Sequence, residues 1–280
     1  MRTAVVGHVE WVQFLRVEHL PAAGEIVRTS DAWELPGGGA PVAAVQLAKL
    51  AGECTFFTAL GDDELGHRAL AELEALGLRI NPVFRDAPQR RAVTHVDGRG
   101  ERTITIVGER LNPHGDDPLP WKELEGVDAV YFTAGDEAAL RAARSGATLV
   151  CTTRVLPLLR EAAVTLDAVV GSDRDRDERY ETGELEPVPH LAVLTRGGEG
   201  GRFCLDGGEW GSFDPTPVPG PVVDAYGCGD SFAGALAFGI AASGDPSRAI
   251  DVAARCGAAV LTGRGPYEGQ LSGAELSVQN

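Results

Sequence analysis

The chain has 280 residues, 44% of them hydrophobic, which is enough for one large core or for one domain with a small appendage. Its 25 basic and 41 acidic residues give a formal net charge of −16, which disfavours nucleic acids and anionic membranes as partners. The five cysteines form no CxxC pair, and neither a signal peptide nor a membrane-length apolar run stands out, so we expect a cytoplasmic protein with reduced thiols.

The first part of the chain is predicted to contain several strands and two helices. Short apolar runs and the alternation of apolar and polar side chains indicate strands, and turns rich in glycine and proline separate them. We expect strands over Thr3–Val9, from Val12 to Val17, over Ile26–Trp33 and over Cys54–Leu60, and helices over Val42–Ala51 and Asp63–Leu76.

A polar hairpin is predicted next. The segments Arg91–Val96 and Arg102–Val107 alternate in polarity and flank the turn sequence Asp97-Gly98-Arg99-Gly100. Because polar residues are frequent on both strands, we expect one face of the pair to contact solvent, a ligand or a second subunit.

From Ala129 onward, strands alternate with helices. This rhythm predicts an α/β fold in which a parallel sheet is covered by helices on both faces. The elements are expected over Ala129–Thr133, Glu137–Ser145, Thr148–Cys151, Leu156–Ala162, Ala168–Val170, Leu191–Thr195, Asp230–Ser243 and Pro246–Thr262.

The segment Asp224–Gly234 carries the clearest chemical signal. Gly227 and Gly229 stand where an extended segment meets a helix of small residues, and such a turn presents free backbone N–H groups at the positive end of the helix dipole. The segment therefore predicts an anion site, most often for phosphate. Asp230 would be repelled by that anion, and one reason for its presence is proton abstraction from a hydroxyl that attacks the phosphate. The alternative is an ordinary helix start with Asp230 in its first turn.

Motifs along the chain resemble those of the ribokinase-like, or PfkB, family of carbohydrate kinases. They are Gly37-Gly38, Gly61-Asp62-Asp63, Thr195-Arg196-Gly197-Gly198-Glu199-Gly200 and the segment from Asp224 to Asp230. The resemblance covers essentially the whole chain. It implies a three-layer α/β/α ribokinase-like fold with a mainly parallel central sheet, in a single domain over residues 1–280. A small β lid would be formed by about residues 9–34 and 90–108.

The resemblance also implies an activity and its catalytic residues. The protein would be an ATP-dependent kinase that phosphorylates a primary hydroxyl of a sugar, nucleoside or related small molecule. Asp230 would be the general base, and the backbone N–H groups of Gly227, Cys228 and Gly229 would hold the phosphoryl group during transfer.

By the same resemblance, Thr195, Gly197, Gly200 and Gly265 would lie beside ATP, and Mg²⁺ would arrive with the nucleotide, mostly through water and phosphate oxygens. Ser172 and Asp175 stand near the place where the family has an Asn and a Glu that arrange metal and phosphate, and Asp175 would act on the metal through water. The stand-ins are Asp173, Asp177 and Glu178, and the alternative is a solvated acidic loop.

The substrate half departs from the family pattern. Val12 stands where the family has an Asp that grips sugar hydroxyls, and Val42 stands at its sugar-binding Asn, in the run that begins with Gly37 and Gly38. Because these hydroxyl-binding groups are missing, we expect an acceptor that is less hydroxylated, more apolar or held by other groups. The candidates for those groups are Glu10, Arg91 and His95, each of which could instead be a solvated strand residue.

Three alternatives remain at this point. The lid could mediate a homodimer, with Trp11, Phe14 and Trp33 either in that contact or in the core of the lid itself. The helix N-terminus is expected to lower the pKa of the Cys228 thiol, although no histidine base lies nearby in sequence to make it a nucleophile. The chain could also be a non-catalytic small-molecule or nucleotide-binding regulatory protein on the kinase fold.

Overall fold

The computed structural model describes residues 1–278, which form two sheets and seven α-helices. The strands are β1 (Thr3–Val6), β2 (Glu10–Arg16), β3 (Asp31–Gly37), β4 (Thr55–Gly61), β5 (Arg79–Arg85), β6 (Arg91–Val96), β7 (Arg102–Val107), β8 (Ala129–Phe132), β9 (Thr148–Thr152), β10 (Ala168–Ser172), β11 (Leu191–Thr195), β12 (Gly201–Leu205) and β13 (Trp210–Phe213). The helices are α1 (Gly39–Ala51), α2 (Glu64–Ala75), α3 (Glu137–Ala143), α4 (Leu156–Ala162), α5 (Cys228–Ser243), α6 (Pro246–Val260) and α7 (Gly273–Val278).

The larger sheet has nine strands in the order β13-β12-β11-β10-β9-β8-β1-β4-β5. Its strands from β11 to β5 pair in parallel, and only β12 and β13 at one edge are antiparallel. Side chains on β1 alternate between two cores: Val5 packs with α1, α5 and α6, whereas Ala4 and Val6 pack with α3 and α4. Helices on both faces of a mainly parallel sheet confirm the predicted three-layer α/β/α fold.

The smaller sheet has four strands in the order β3-β2-β6-β7, in which β2 and β6 are parallel and the other pairs are antiparallel. The predicted hairpin is the β6–β7 pair. On the inner face of this sheet, Phe14 is fully buried and its ring stacks on that of Trp33 with centroids 4.9 Å apart. Trp11 is also buried. Phe14 and Trp33 therefore fill the core on this face of the smaller sheet, whereas Trp11, three residues from Phe14 on β2, faces the other side and packs against Arg68 of α2.

Several elements in the first half differ from the sequence prediction; β1, for example, ends at Val6 and not at Val9. The strand expected over Ile26–Trp33 is β3, which begins only at Asp31 because its partner strand ends at Arg16, and Ile26 is 95% exposed. Helix α1 begins before Val42, since the fixed φ of Pro41 suits the first turn of a helix. Strand β5 was not predicted, because this edge strand is half-buried and carries no clear alternation.

The topology places the carboxyl ends of several parallel strands at one edge of the larger sheet. Parallel strands share the direction of their carboxyl ends, and residues just after β1, β8, β9, β10 and β11 line one cavity there. Helix α5 packs against β8 and β9, and its N-terminus opens into the same cavity. Among the described residues, no helix is both long and apolar enough to cross a membrane.

Candidate active site

A cavity of about 1290 Å³ lies between the carboxyl ends of the parallel strands and the smaller sheet. A single drug-sized ligand usually occupies about 300–1000 Å³, so this space suits a nucleotide together with a second small molecule. Strand β7 lines it through Ile104 and Ile106, and the N-terminus of α5 lines it through Gly227, Cys228, Gly229 and Asp230. The four residues predicted to carry out phosphoryl transfer are thus together in one cavity.

The first turn of α5 has the shape of an anion site. Gly227 precedes the helix with φ of 85°, and a Cβ at this position would lie 2.7 Å from Cβ of Pro266, so only glycine fits. No side chain caps the helix, which leaves its first N–H groups without a capping partner. A Cβ added at Gly229 would meet nothing within 4 Å. Open space therefore lies directly over the positive end of the helix dipole.

Asp230 points from the first turn into this space. Its Oδ1 lies 2.7 Å from the position that a Cβ of Gly39 would take, so the close approach of α1 depends on that glycine. Burial raises the pKa of Asp230, while the charges of Arg154 and Arg102 lower it and that of Glu10 raises it. Within residues 1–278 the carboxylate has no hydrogen bond or ion pair, so both oxygens are available to accept a proton.

The expected lowering of the thiol pKa of Cys228 is not found. Loss of surrounding water raises the pKa of its thiol to about 12, which outweighs the helix N-terminus that was expected to lower it. Cys228 therefore stays protonated near neutral pH, and its backbone N–H, not its sulfur, is the group offered to an anion.

Hydrogen bonds behind the turn fix its conformation. The fully buried carboxylate of Asp224 accepts from Tyr226 N at 2.8 Å and from Gly265 N at 3.1 Å. The hydroxyl of Tyr226 in turn accepts from Gly38 N at 2.9 Å. Gly265 itself does not line the cavity, so in this structure it holds the turn and does not face a ligand.

The predicted nucleotide loop lies after β11. Thr195, Gly197, Gly200 and Ser172 all line the cavity. Gly200 has φ of 76°, and a Cβ there would lie 2.1 Å from the carbonyl oxygen of Phe213. The chain continues from Gly201 as β12, antiparallel to β11, so this loop is a strand–turn–strand connection and not the start of a helix.

An acidic group borders this loop. Asp175 and Glu178 both line the cavity and both pair with Arg154, whose Nη2 lies 2.9 Å from Oδ2 of Asp175. Burial raises the pKa of Glu178, although Arg154 opposes that shift. Asp173 is held by Arg196 and Arg202 and does not line the cavity.

A second acidic group, formed by His114, Asp116 and Asp117, lies outside the cavity lining. Asp117 in that group accepts two hydrogen bonds of 2.6 Å from the guanidinium of Arg85. The carboxylate of Asp117 therefore forms an ion pair with Arg85, which links β5 to the segment before the 3₁₀ turn Trp121–Leu124.

The predicted substrate residues separate into two groups. Glu10 and Gly38 line the cavity, and Gly37 lies directly behind Gly38 against Tyr226. Val12 and Val42 are fully buried and do not line it.

Arg91 and His95, the other substrate candidates, also lie outside the cavity lining, and Arg91 is exposed. Successive residues of an extended strand point to opposite faces, so the neighbour of Arg91 faces inward instead. That neighbour, Arg90, lines the cavity and donates from Nε to Oε1 of Glu10 at 2.8 Å.

Sequence reasoning missed most of the cationic lining. Besides Arg90 it comprises Arg102, Arg110, Arg154, Arg174 and Arg176. These arginines belong to five separate segments and to no motif, so only the fold brings them together. The one available signal was Arg90, directly before the predicted strand Arg91–Val96, but Arg91 was the candidate chosen there.

Comparisons with known proteins agree with this geometry. The chain is 26% identical over 274 residues to an ATP-dependent ribose-1-phosphate kinase of Halopiger xanaduensis, covering 92% of this chain and 91% of that one. It is 27% identical over 288 residues to a fructokinase of Klebsiella pneumoniae, covering 85% and 91%.

Solved structures show the same fold. A ribokinase of Thermotoga maritima superposes with a TM-score of 0.80 at 20% identity over 99% of both chains. A ribokinase of Arabidopsis thaliana, solved with ribose and ATP, superposes with a TM-score of 0.76 at 17% identity over 99% of this chain and 97% of that one. The family profile described as pfkB family carbohydrate kinase matches residues 2–175 and 166–272, so the chain belongs to the pfkB family of carbohydrate kinases.

Proposed function

We propose that this protein transfers the γ-phosphoryl group of ATP to a primary hydroxyl of a sugar, nucleoside or related small molecule, with Asp230 as the general base. The observation that carries the proposal is the carboxylate of Asp230, which has no ion-pair or hydrogen-bond partner among residues 1–278 and lies beside the open first turn of α5, in the same cavity as the glycine loop after β11. Family membership supports the reaction class.

The reaction follows from the positions of these groups. The acceptor oxygen forms a bond to the γ-phosphorus while the bond to ADP breaks, and Asp230 takes the hydroxyl proton. The N–H groups of Gly227, Cys228 and Gly229 stabilise the charge on the phosphoryl oxygens, because they are fixed before the reaction begins. Arg154 lies close enough to lower the pKa of Asp230, and its charge also favours the phosphoryl group in transit.

The residues at the nucleotide end fit ATP and its metal. Thr195, Gly197 and Gly200 leave a backbone surface for the nucleotide, and Ser172 lies at the end of the adjacent strand. Asp175, with Glu178, would hold Mg²⁺ mostly through water, since both carboxylates are also bound by Arg154. The metal would neutralise charge on the phosphates.

Replacing the base tests the proposal directly. Asp230→Asn keeps the shape of the side chain and removes its ability to take a proton, so ADP release should fall by several orders of magnitude while nucleotide binding persists. Near-normal turnover in this variant would refute the assignment. If no sugar or nucleoside gives ADP release above the water background with the wild type, the non-catalytic binding protein is favoured instead.

The same proposal extends to assembly and location. Strand β7 is the edge of the smaller sheet, and all six of its residues are exposed, which supports a homodimer formed through this sheet. Sedimentation of the wild type should then show a dimer. The five free thiols support a cytoplasmic location.

A further inference from the structure

We propose that the acceptor carries a phosphate ester, bound by Arg90, Arg102 and Arg110 at the substrate end of the cavity. This inference rests on the proposed kinase function and specifies the chemical class of its substrate. The chain has a net charge of −16, yet arginines are concentrated around this part of the cavity.

Arg110 provides the main evidence for an anionic acceptor. It follows β7, is exposed and lines the cavity, and within residues 1–278 it has neither a carboxylate partner nor a hydrogen-bond acceptor. Partial loss of surrounding water lowers the pKa of its guanidinium, the like charge of Arg90 lowers it further, and the charge of Glu10 raises it. A guanidinium placed beside another one is unfavourable unless an anion lies between or against them.

The other charges at this end do not neutralise it. Arg90 uses Nε to bind Glu10, which leaves its two terminal nitrogens for another acceptor. Arg102 donates from Nη1 to the carbonyl oxygen of Ala225 at 2.8 Å and has no carboxylate partner in the described part of the chain. The carboxylates lining this end are Glu10, the exposed Glu101 and Asp230, and among the described residues none of them forms an ion pair with Arg102 or Arg110.

Histidine does not change that balance. His8 lies 3.4 Å from Glu10, and burial together with the charges of Arg110 and Arg90 lowers its pKa despite the hydrogen bond to Glu10. Near neutral pH His8 is uncharged, so the ion pair of Glu10 is with Arg90. The guanidinium of Arg110 and the free nitrogens of Arg90 and Arg102 therefore remain for a ligand.

Arg90 and its neighbour Arg110 lie on the far side of Asp230 from the nucleotide loop, and Arg102 lies beside the anion turn at Ala225. The loop follows β11, whereas Glu10 and Arg90 flank the connection after β1, and three strands separate β11 from β1. Four strand spacings of about 4.8 Å place the two ends about 19 Å apart. Helix α5, which carries Asp230, packs against β8 and β9 between them. The arginine group thus faces the acceptor and not the leaving nucleotide.

A phosphate ester fits this group better than a neutral sugar or a carboxylate. Guanidinium groups bind phosphate oxygens through paired N–H donors, and a phosphate ester carries up to two charges where a carboxylate carries one. The family groups that grip sugar hydroxyls are replaced by the buried Val12 and Val42, so a charged anchor supplies binding that they do not.

The test compares matched acceptors with the whole protein and ATP. Ribose is paired with ribose 1-phosphate and fructose with fructose 6-phosphate, each ester keeping a free primary hydroxyl, and gluconate is the carboxylate. At least one ester should show kcat/KM about 100-fold above its parent sugar. Arg110→Ala should raise KM for that ester about 10- to 100-fold, much more than it changes KM for the parent sugar or for ATP, with partial recovery in Arg110→Lys.

The control is Arg99→Ala, which removes an equal charge from the tip of the β6–β7 turn, outside the cavity. The inference would be overturned if the kcat/KM of the parent sugars or of gluconate equalled that of the esters. It would also be overturned if Arg110→Ala lowered kcat/KM for the ester and for its parent sugar by the same factor. Intact turnover in Asp230→Asn would instead refute the kinase function itself.

If turnover is absent with every acceptor, melting temperatures in the presence of ADP decide the question. An ester that raises the melting temperature of the wild type but not of Arg110→Ala supports the inference, and the failure of every ester to do so overturns it.

Discussion

Replacing Gly229 with alanine should abolish activity without unfolding the protein. The added methyl group meets nothing within 4 Å, and the position lies in the first turn of α5, where alanine favours a helix over glycine by up to about 0.5–1 kcal/mol. The variant should therefore be as stable as the wild type or slightly more stable. The methyl group would, however, occupy the space over the free N–H groups that we assign to the phosphoryl group, and the loss of one such donor typically costs about 100- to 1000-fold in kcat.

The matched control is Gly239→Ala in the same helix. There the new Cβ would lie 2.7 Å from Cα of Ala249, and overpacking of this kind costs about 1–3 kcal/mol. Calorimetry should show a lower melting temperature, while kcat at a temperature where the variant is folded stays near that of the wild type. Normal kcat/KM in Gly229→Ala would show that the phosphoryl group does not lie over this turn, and a melting temperature as low as that of Gly239→Ala would contradict its open geometry.

Three further substitutions probe the neighbours of this turn. Arg154→Gln removes the largest influence that lowers the pKa of Asp230, so the acid limb of the kcat/KM profile should move to higher pH; an unmoved or lower limb would contradict that coupling. Asp224→Ala leaves two buried N–H groups without an acceptor and should lower the free energy of unfolding by about 2–6 kcal/mol, measured with urea. Val42→Asn buries an amide and should cost about 1–3 kcal/mol without improving turnover of ribose, and a gain in ribose kinetics would show that the position does reach the acceptor.

The fold was predictable because its signals are local. Buried parallel strands read as short apolar runs, and amphipathic or small-residue helices alternate with them from Ala129 onward, so the class of the sheet follows from the pattern. The elements that were misplaced depend on distant partners. Strand β3 begins where β2 can pair with it, and β5 is an edge strand whose half-buried residues carry no periodic signal. Neither the start of β3 nor the presence of β5 can be inferred from the residues of that strand alone.

The candidate site was predictable to the extent that backbone geometry defines it. Gly227 and Gly200 have positive φ and close neighbours, so only glycine fits at these positions. A sequence motif can detect such glycines. Side chains that reach the cavity from separate segments leave no such trace. Arg110 lies in an irregular stretch after β7, and its role emerges only when the smaller sheet is folded over the larger one. Arg91 was the predicted candidate and Arg90 is the residue that lines the cavity, because a shift of one residue along a strand exchanges inside and outside.

The contacts between the two sheets connect acceptor binding to the phosphoryl site. The β6–β7 turn touches the segment before α5: Ala225 N donates to the carbonyl oxygen of Gly100 at 3.2 Å, and Arg102 donates to the carbonyl oxygen of Ala225. Arg102 therefore holds the irregular segment that leads into Gly227, and it also lines the cavity. An anionic acceptor drawn to Arg102 would steady the position of β7 relative to α5, because one guanidinium contacts both the ligand and the backbone beside the anion turn. Since phosphoryl transfer depends on alignment more than on covalent chemistry, the acceptor would help to complete the site in which it reacts.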